Sequence, residues 1–443
     1  MEEQLGHLVV VVVLGISAQW ISWRLNLPSI LLLLLFGIVA GPVLGLLHPD
    51  RLLGPLLLPV VLLSVALILY EGGLSLRLRE LRQVGSVVRN LVTLGTLVTG
   101  LGGALAAYLL FDLAAPLAAL VGAIFVVTGP TVVGPLLRHV RPSGAVGPIL
   151  KWEGIVTDPL GAMLAVLIFE ILVDDRMHQA PMLTLFGVLK TLLLGGAVGA
   201  AGAWLLWHLL RRHLVPDFLQ NPLSLMLVLM VFTVGMLLES EAGLVGVTLM
   251  GVLLANQRSA PIRHIIEFKE NLRVLLISTI FILLAARLEV EHLKALGWRH
   301  FAFLGALVLV VRPLTVFLST WRTGLTLREK AFLSSVAPRG IVAAAVSAVL
   351  GLELSQRGYD GAELLVPLTF LVIIGTVLFY GIIATPVARK LGLSEPARQG
   401  YLILGAHPWA RALGRVFQEQ GIPLLLVDSN RQNVSEAHLA GLP

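Results

Sequence analysis

Val127-Thr128-Gly129-Pro130-Thr131 and Val336-Ala337-Pro338-Arg339-Gly340 lie inside two long apolar runs, 116–137 and 328–350, and each stretch joins a proline to a glycine. Proline removes a backbone donor and its ring displaces the carbonyl one turn back, while glycine loosens the chain. Both runs therefore read as helices that break at mid-length. Thirteen apolar stretches suited to a hydrocarbon layer about 30 Å thick can be read, at 5–23, 29–47, 56–72, 86–110, 116–137, 145–173, 182–210, 222–239, 242–256, 270–286, 300–320, 328–350 and 364–388, the ninth being short. The breaks fall in the fifth and the twelfth. Taken as six helices, a connector at 182–210 and six more, the chain has one break at the same ordinal place in each half. A single connector gives the halves opposite orientation. The expected fold is an all-α polytopic membrane protein with two inverted six-helix repeats, whose broken helices cross near the bilayer midplane and mark the binding site.

Composition agrees with a membrane protein: 57% of residues are hydrophobic and 13% charged. The net charge of +6 sits in alternate loops, with 18 Lys and Arg in one set against 6 in the other. That bias places the N-terminus outside and the C-terminus in the cytoplasm of a multi-pass protein of the cell inner membrane. It also accounts for the basic balance without nucleic acid, since no basic run is interleaved with aromatics. The absence of cysteine excludes disulfides, thiolate metal sites and a cysteine nucleophile. The first segment lacks a basic leader and a small-residue cleavage site, so it reads as a retained helix.

The sixth stretch contains Lys151-Trp152-Glu153-Gly154-Ile155-Val156-Thr157-Asp158-Pro159-Leu160-Gly161. A carboxylate about halfway through a bilayer is costly and marks an ion or proton path. Asp158 is the candidate, and Pro159 beside it frees backbone oxygens. One buried acid that holds either a proton or a cation suffices for exchange. Hard oxygen ligands for Na+ or K+ at Asp158 are expected from the Thr157 and Thr128 hydroxyls and from carbonyls freed by Pro130. Glu153 lies five residues before Asp158, some 140° around a helix, whereas Thr157 shares the Glu153 face. Arg312 and Arg339 are buried cations of the second half, and each needs an anionic or carbonyl partner.

After Leu393 the character changes. A polar linker, 394–400, leads to a strand at 401–404, an amphipathic helix at 409–420 and a second strand at 422–427, the opening β-α-β of a nucleotide-binding fold. The expected domains are 1–393, membrane-spanning, and 394–443, a partial Rossmann-like α/β segment. The chain ends about a third of the way through such a fold, so this piece is expected to be part of a longer domain or to need a partner. Gly405 and Asp428 stand where the dinucleotide fingerprint has a glycine and a ribose ligand, but His407 replaces the second glycine.

Glu71-Gly72-Gly73-Leu74-Ser75-Leu76, Thr128-Gly129-Pro130, Glu153-x-x-x-Thr157-Asp158 and Pro338-Arg339-Gly340 together resemble motifs of the monovalent cation:proton antiporter superfamily, most closely its sodium/proton exchanger-like branch. The resemblance implies alternating-access antiport of Na+ or K+ for H+, a homodimer in the lipid bilayer, no enzymatic activity and no required cofactor. It also implies that Glu153 pairs with an arginine; Arg312 is favoured, leaving Arg339 to compensate the broken helix. The appended segment is similar to the nucleotide-binding regulatory modules of potassium transport systems, with NAD(H) or an adenine nucleotide as the ligand. Two positions depart from the family. Gly129 stands for the acid of Thr-Asp-Pro, and Thr157 for the asparagine of Asn-Asp, leaving one free acid and favouring electroneutral exchange. A potassium efflux channel or a non-transporting membrane sensor is the alternative, but no filter-like Thr-Val-Gly-Tyr-Gly loop is present.

Overall fold

The computed structural model describes residues 2–25, 27–173, 181–239, 241–259, 262–288, 296–394 and 400–443. They form two compact units, Met1–Leu393 and Ser394–Pro443. Most of the polar linker, residues 395–399, lies outside the described residues.

The helices of the first unit are α1 Glu2–Leu25, α2 Ser29–Ile38, α3 Pro49–Leu53, α4 Leu57–Leu74, α5 Leu78–Asn90, α6 Thr96–Phe111, α7 Ala115–Ile124, α8 Pro130–Val140, α9 Val146–Val173, α10 Pro181–Arg211, α11 Asp217–Leu238, α12 Ala242–Asn256, α13 Arg263–Ala286, α14 Trp298–Ala306, α15 Arg312–Ser319, α16 Leu327–Ser334, α17 Ile341–Gln356 and α18 Leu365–Lys390. Among the described residues, eight helices are long and apolar enough to cross a membrane, and four shorter apolar helices accompany them. Two of the short ones, α7 and α17, are halves of the broken helices. Another, α12, is the short ninth stretch.

Each broken helix stops and restarts for a local reason. The fifth stretch ends as α7 at Ile124 and resumes as α8 with Pro130, whose missing N–H costs nothing at a first helical position. The twelfth begins as α16 under a reciprocal cap between Thr326 and Glu329, stops at Ser334, and resumes as α17 at Ile341. The two breaks touch through the Gly129 N–H, which donates to the Pro338 carbonyl at 3.1 Å. A Cβ on Gly129 would collide with the Cα of Gly340, and the converse holds for Gly340. The absence of side chains at both positions lets two backbones pass in contact. Helix α9 lies against the same crossing, since a Cβ on Gly161 would fall 2.6 Å from Val127 Cγ2 and 2.9 Å from Val127 N.

A second correspondence between the halves is marked by proline on one side only, Pro313. The fourth and eleventh stretches run as continuous helices, Leu78–Phe111 and Trp298–Ser319, each interrupted by one π-wound turn, Leu91–Gly95 and Leu307–Val311. The first of these turns packs on α15 and the second on α6. The second unit contains β1 Tyr401–Leu404, α19 Pro408–Glu419, β2 Leu424–Val427 and α20 Arg431–Leu439, with β1 and β2 parallel and Tyr401 opposite Leu424.

Gly129→Ala should lower the thermal unfolding temperature of the detergent-solubilised protein, because its methyl group meets rigid backbone. Gly305→Ala, in α14 with nothing within 4 Å of the added carbon, should change stability by no more than about 1 kcal/mol. Equal unfolding temperatures for the two variants would remove the crossing as a constraint.

Candidate functional site

A helix that stops inside a bilayer leaves its last carbonyls without partners. Here arginines supply the donors. Arg312, at the start of α15, donates from Nε to the Leu333 carbonyl at 3.0 Å and from Nη2 to the Val336 carbonyl at 2.9 Å, at and beyond the end of α16. Arg339, in the twelfth-helix break, donates from Nη1 to the carbonyls of Val127 at 3.2 Å and Val126 at 3.3 Å, just beyond α7. Its own N–H donates to Thr376 Oγ1 of α18 at 3.2 Å. Each guanidinium therefore satisfies the negative pole of one half-helix.

Arg312 also has an anionic partner. Its Nη2 lies 3.0 Å from Glu153 Oε2, and Nη1 contacts Oε1, a two-pronged pair. Both residues are about 95% buried. Such a pair contributes little relative to an apolar substitute, but removing one partner strands a buried charge and costs about 3–5 kcal/mol.

One turn along α9, the Thr157 hydroxyl donates to the Glu153 carbonyl at 2.7 Å and also contacts the Thr128 hydroxyl. Since the Thr157 proton is already committed, Thr128 is the donor within that contact. The lone pairs of Thr128 Oγ1 remain available. Glu153, Arg312, Arg339, Thr128 and Thr157 line one small enclosed cavity with Thr99 and Thr315, which bond each other at 3.0 Å. Pro130 begins α8, but its side chain lies outside the described residues.

Asp158 is 1% exposed, and its Oδ1 makes no hydrogen bond among the described residues. It is not part of the arginine cavity. The 140° between positions 153 and 158 separates the two acids around α9: Glu153 is committed to a cation of the protein, and Asp158 is not. Helix α9 packs against α7, α8 and α17, which holds Asp158 beside the crossing breaks.

A larger cavity, about 440 Å3, opens between α4, α8, α9 and α13. Its charged lining is Glu71, Lys151, Glu270 and Arg273, and its apolar lining includes Ile68 and Ile155. Arg273 Nη1 grips both oxygens of Glu71, at 2.8 and 3.0 Å. Lys151 donates to the Ser75 carbonyl and lies 3.9 Å from Glu80. In the sequence Glu71 is visible only as part of a motif, and nothing there joins it to Arg273, which is 202 positions away. Lys190 of α10 pairs with Glu239, which follows the end of α11.

In the second unit, Gly405 has φ +103°, a conformation that side chains disfavour, and it turns the chain from β1 toward α19. Asp428 ends β2 and is already bonded: Oδ1 accepts from Asn430 N–H, and Oδ2 from Ala406 N–H and Asn433 Nδ2, each at 2.8 Å. A carboxylate offers about four acceptor positions, so about one is left for a ribose. The Asn430 N–H, then the Ala406 N–H and the Asn433 amide, hold the Asp428 carboxyl down at about 2, below its ordinary 3.8. Among the described residues no cluster of three or more His, Asp or Glu side chains is placed to hold a metal ion.

A family model described as "Sodium/hydrogen exchanger, transmembrane" matches residues 8–390. The chain belongs to the sodium/hydrogen exchanger family. It is 30% identical over 402 residues to the K(+)/H(+) antiporter NhaP2 of Shewanella sp. (strain MR-4), covering 88% of this chain and 68% of that protein. It is 27% identical over 374 residues to Na(+)/H(+) antiporter 1 of Methanocaldococcus jannaschii, covering 80% of this chain and 84% of that one. The fold is that of the sodium proton antiporter MjNhaP1 from the same organism, solved at pH 8, with TM-score 0.77, 24% identity, and coverage of 88% of this chain and 98% of that one. Exchanger-family members thus share this helical architecture, and the all-α expectation for the membrane unit holds.

Removing either side of the Glu153–Arg312 pair should be costlier than removing both. Arg312→Ala should destabilise by about 3–5 kcal/mol, and Glu153→Ala combined with Arg312→Ala should cost less than the sum of the single changes. Thermal unfolding of the four proteins measures the coupling, and additive losses would show that no pair exists. Asp428 has a lowered folded value, so its contribution is present above the ordinary carboxylate range and is lost as pH falls from about 4 through about 2. Amide hydrogen exchange in the full chain should lose protection at Ala406 and Asn430 across that window. Asp428→Asn should show reduced protection already at neutral pH.

Proposed function

We propose that this protein is a secondary antiporter that exchanges one proton for one monovalent cation, Na+ or K+, by alternating exposure of Asp158. The reading rests on a single contrast within α9: Glu153 is committed to Arg312, while the Asp158 carboxylate is buried beside the crossing with Oδ1 free of hydrogen bonds to the described residues. An ionised acid in that position needs a counter-charge, and either a proton or an alkali cation supplies it. The two ligands exclude one another, and this exclusion is the exchange cycle.

The carbonyls opened at Pro130 would replace part of the cation's hydration shell, and Thr128 Oγ1 and the remaining lone pair of Thr157, which face the arginine cavity in this structure, would join them only after a shift of the crossing. Glu153, Arg312 and Arg339 are structural in this scheme, cancelling one another and the half-helix poles. The positive ends of α8 and α17 add to the field at Asp158. With Gly129 in the crossing, no second acid shares the load, which supports an electroneutral cycle. No step of this cycle makes or breaks a covalent bond other than to a proton, so no cofactor is required.

The alternating Lys and Arg support a membrane orientation with the N-terminus outside and the C-terminus in the cytoplasm, and the family supports a homodimer. That orientation puts the cavity at Glu71, Lys151 and Arg273 on the cytoplasmic side. Residues 1–393 would carry transport, and 394–443 would carry regulation by a nucleotide held at Gly405 and Asp428. The parallel β-α-β pairing and the glycine turn support such a module. His407 and the internally bonded Asp428 reduce what it offers a dinucleotide.

Asp158→Asn should abolish dissipation of a pH gradient on addition of Na+, K+ or Li+ to proteoliposomes while leaving the unfolding temperature close to that of the parent. Retained pH-dependent exchange would move the ion site elsewhere. In the parent protein, raising cation concentration should offset inhibition at low pH, and transport should not follow the membrane potential. A current scaling with voltage would mean that a second group titrates.

A further inference from the structure

The cytoplasmic cavity does not reach Asp158. Along α9 it ends on Ile155, which is 3% exposed, and Asp158 lies three residues deeper, about 4.5 Å along the axis. The contact that closes the way is specific. Three carbons of the Ile155 side chain, Cγ1, Cδ1 and Cγ2, surround the point where a Cβ of Gly72 would stand, at 3.5, 3.7 and 3.8 Å, and are its nearest neighbours outside the adjoining residues and backbone of α4. Ile68, one turn before Gly72 on α4, lines the same cavity. A branched apolar side chain is thus seated on bare backbone between a charged vestibule and a buried acid.

We propose that Ile155, seated on Gly72, is the residue that sets passage between the vestibule and Asp158, a role that rests on the antiport reading above. A hydrated cation passing from this cavity along α9 meets this contact, and it passes when α9 and α4 separate here or the isoleucine swings away. The helices α4 and α9 are also tied at the vestibule rim, where Lys151 of α9 holds the Ser75 carbonyl that follows α4. Opening at Ile155 therefore stretches a polar tie as well as an apolar contact. The vestibule charges concentrate and orient the ion, and Ile155 decides when it goes further.

The geometry gives changes of opposite sign on the two sides of one contact. Ile155→Ala removes the plug. Gly72→Ala adds a methyl at ordinary van der Waals distance from all three isoleucine carbons, so it thickens the seal without a clash. Both can be read without transport, because the chain contains no cysteine and an introduced thiol is unique. In an Asp158→Cys background, methanethiosulfonate ethylammonium would be applied to the cytoplasmic face of inside-out vesicles and its labelling rate followed. Adding Ile155→Ala should raise the rate on the order of tenfold, the factor given by a barrier change of about 1.4 kcal/mol, and adding Gly72→Ala should lower it. Equal rates in all three proteins, or a Gly72→Ala variant that labels faster, would overturn the role of Ile155. The readout is reaction of a thiol and not ion exchange, so it stays separate from any failure of the antiport reading.

Discussion

The carbonyls left over when α7 and α16 stop in mid-bilayer set the terms for the rest of the membrane unit. Water is not there to bond them, and two arginines from the second half do so instead. Arg339 reaches across to the first half, and Arg312 caps the second. This brings two permanent charges into an apolar interior, and Glu153 is the answer to one of them. Asp158, five residues further along α9, then stands outside the structural account, a buried acid that neither arginine engages among the described residues.

The same arrangement explains why Glu153 and Asp158, two of the three acids on α9, have different surroundings. Five residues turn Glu153 and Asp158 to different sides of α9, so the arginine field is delivered to one of them directly. Thr157, sharing the Glu153 face, ties that side to Thr128 through hydroxyl bonds. The threonine that replaces a family asparagine keeps an oxygen here but spends its proton on the backbone of its own helix. Of this pair, Thr128 keeps the freer oxygen.

Much of this was legible because proline and glycine punctuate an otherwise uniform apolar sequence. The two breaks, the short ninth helix and the overall helical class all follow from local chemistry that a single chain displays. The π-wound turn at Leu91–Gly95 holds no proline, and the one at Leu307–Val311 is followed by Pro313, whose missing donor loosens the helix there without specifying how it winds. The Glu71–Arg273 bridge was equally silent, because pairing across 202 positions depends on which helix faces which. Choosing between Arg312 and Arg339 as the partner of Glu153 required distances, as periodicity assigns a face but not a neighbour. Asp428 looked available by position, and only the hydrogen bonds of its loop reveal how few lone pairs it has left.

The Gly129–Gly340 contact has a consequence for how such a chain can change over generations. A carboxylate at position 129 is a small edit in sequence, yet here it would be driven into the opposite backbone unless the strand bearing Gly340 moved first. The two positions form a lock with two keys, and neither turns alone. Change at the crossing is therefore steered toward positions such as 128 and 157, where a side chain already stands and the backbones need not part.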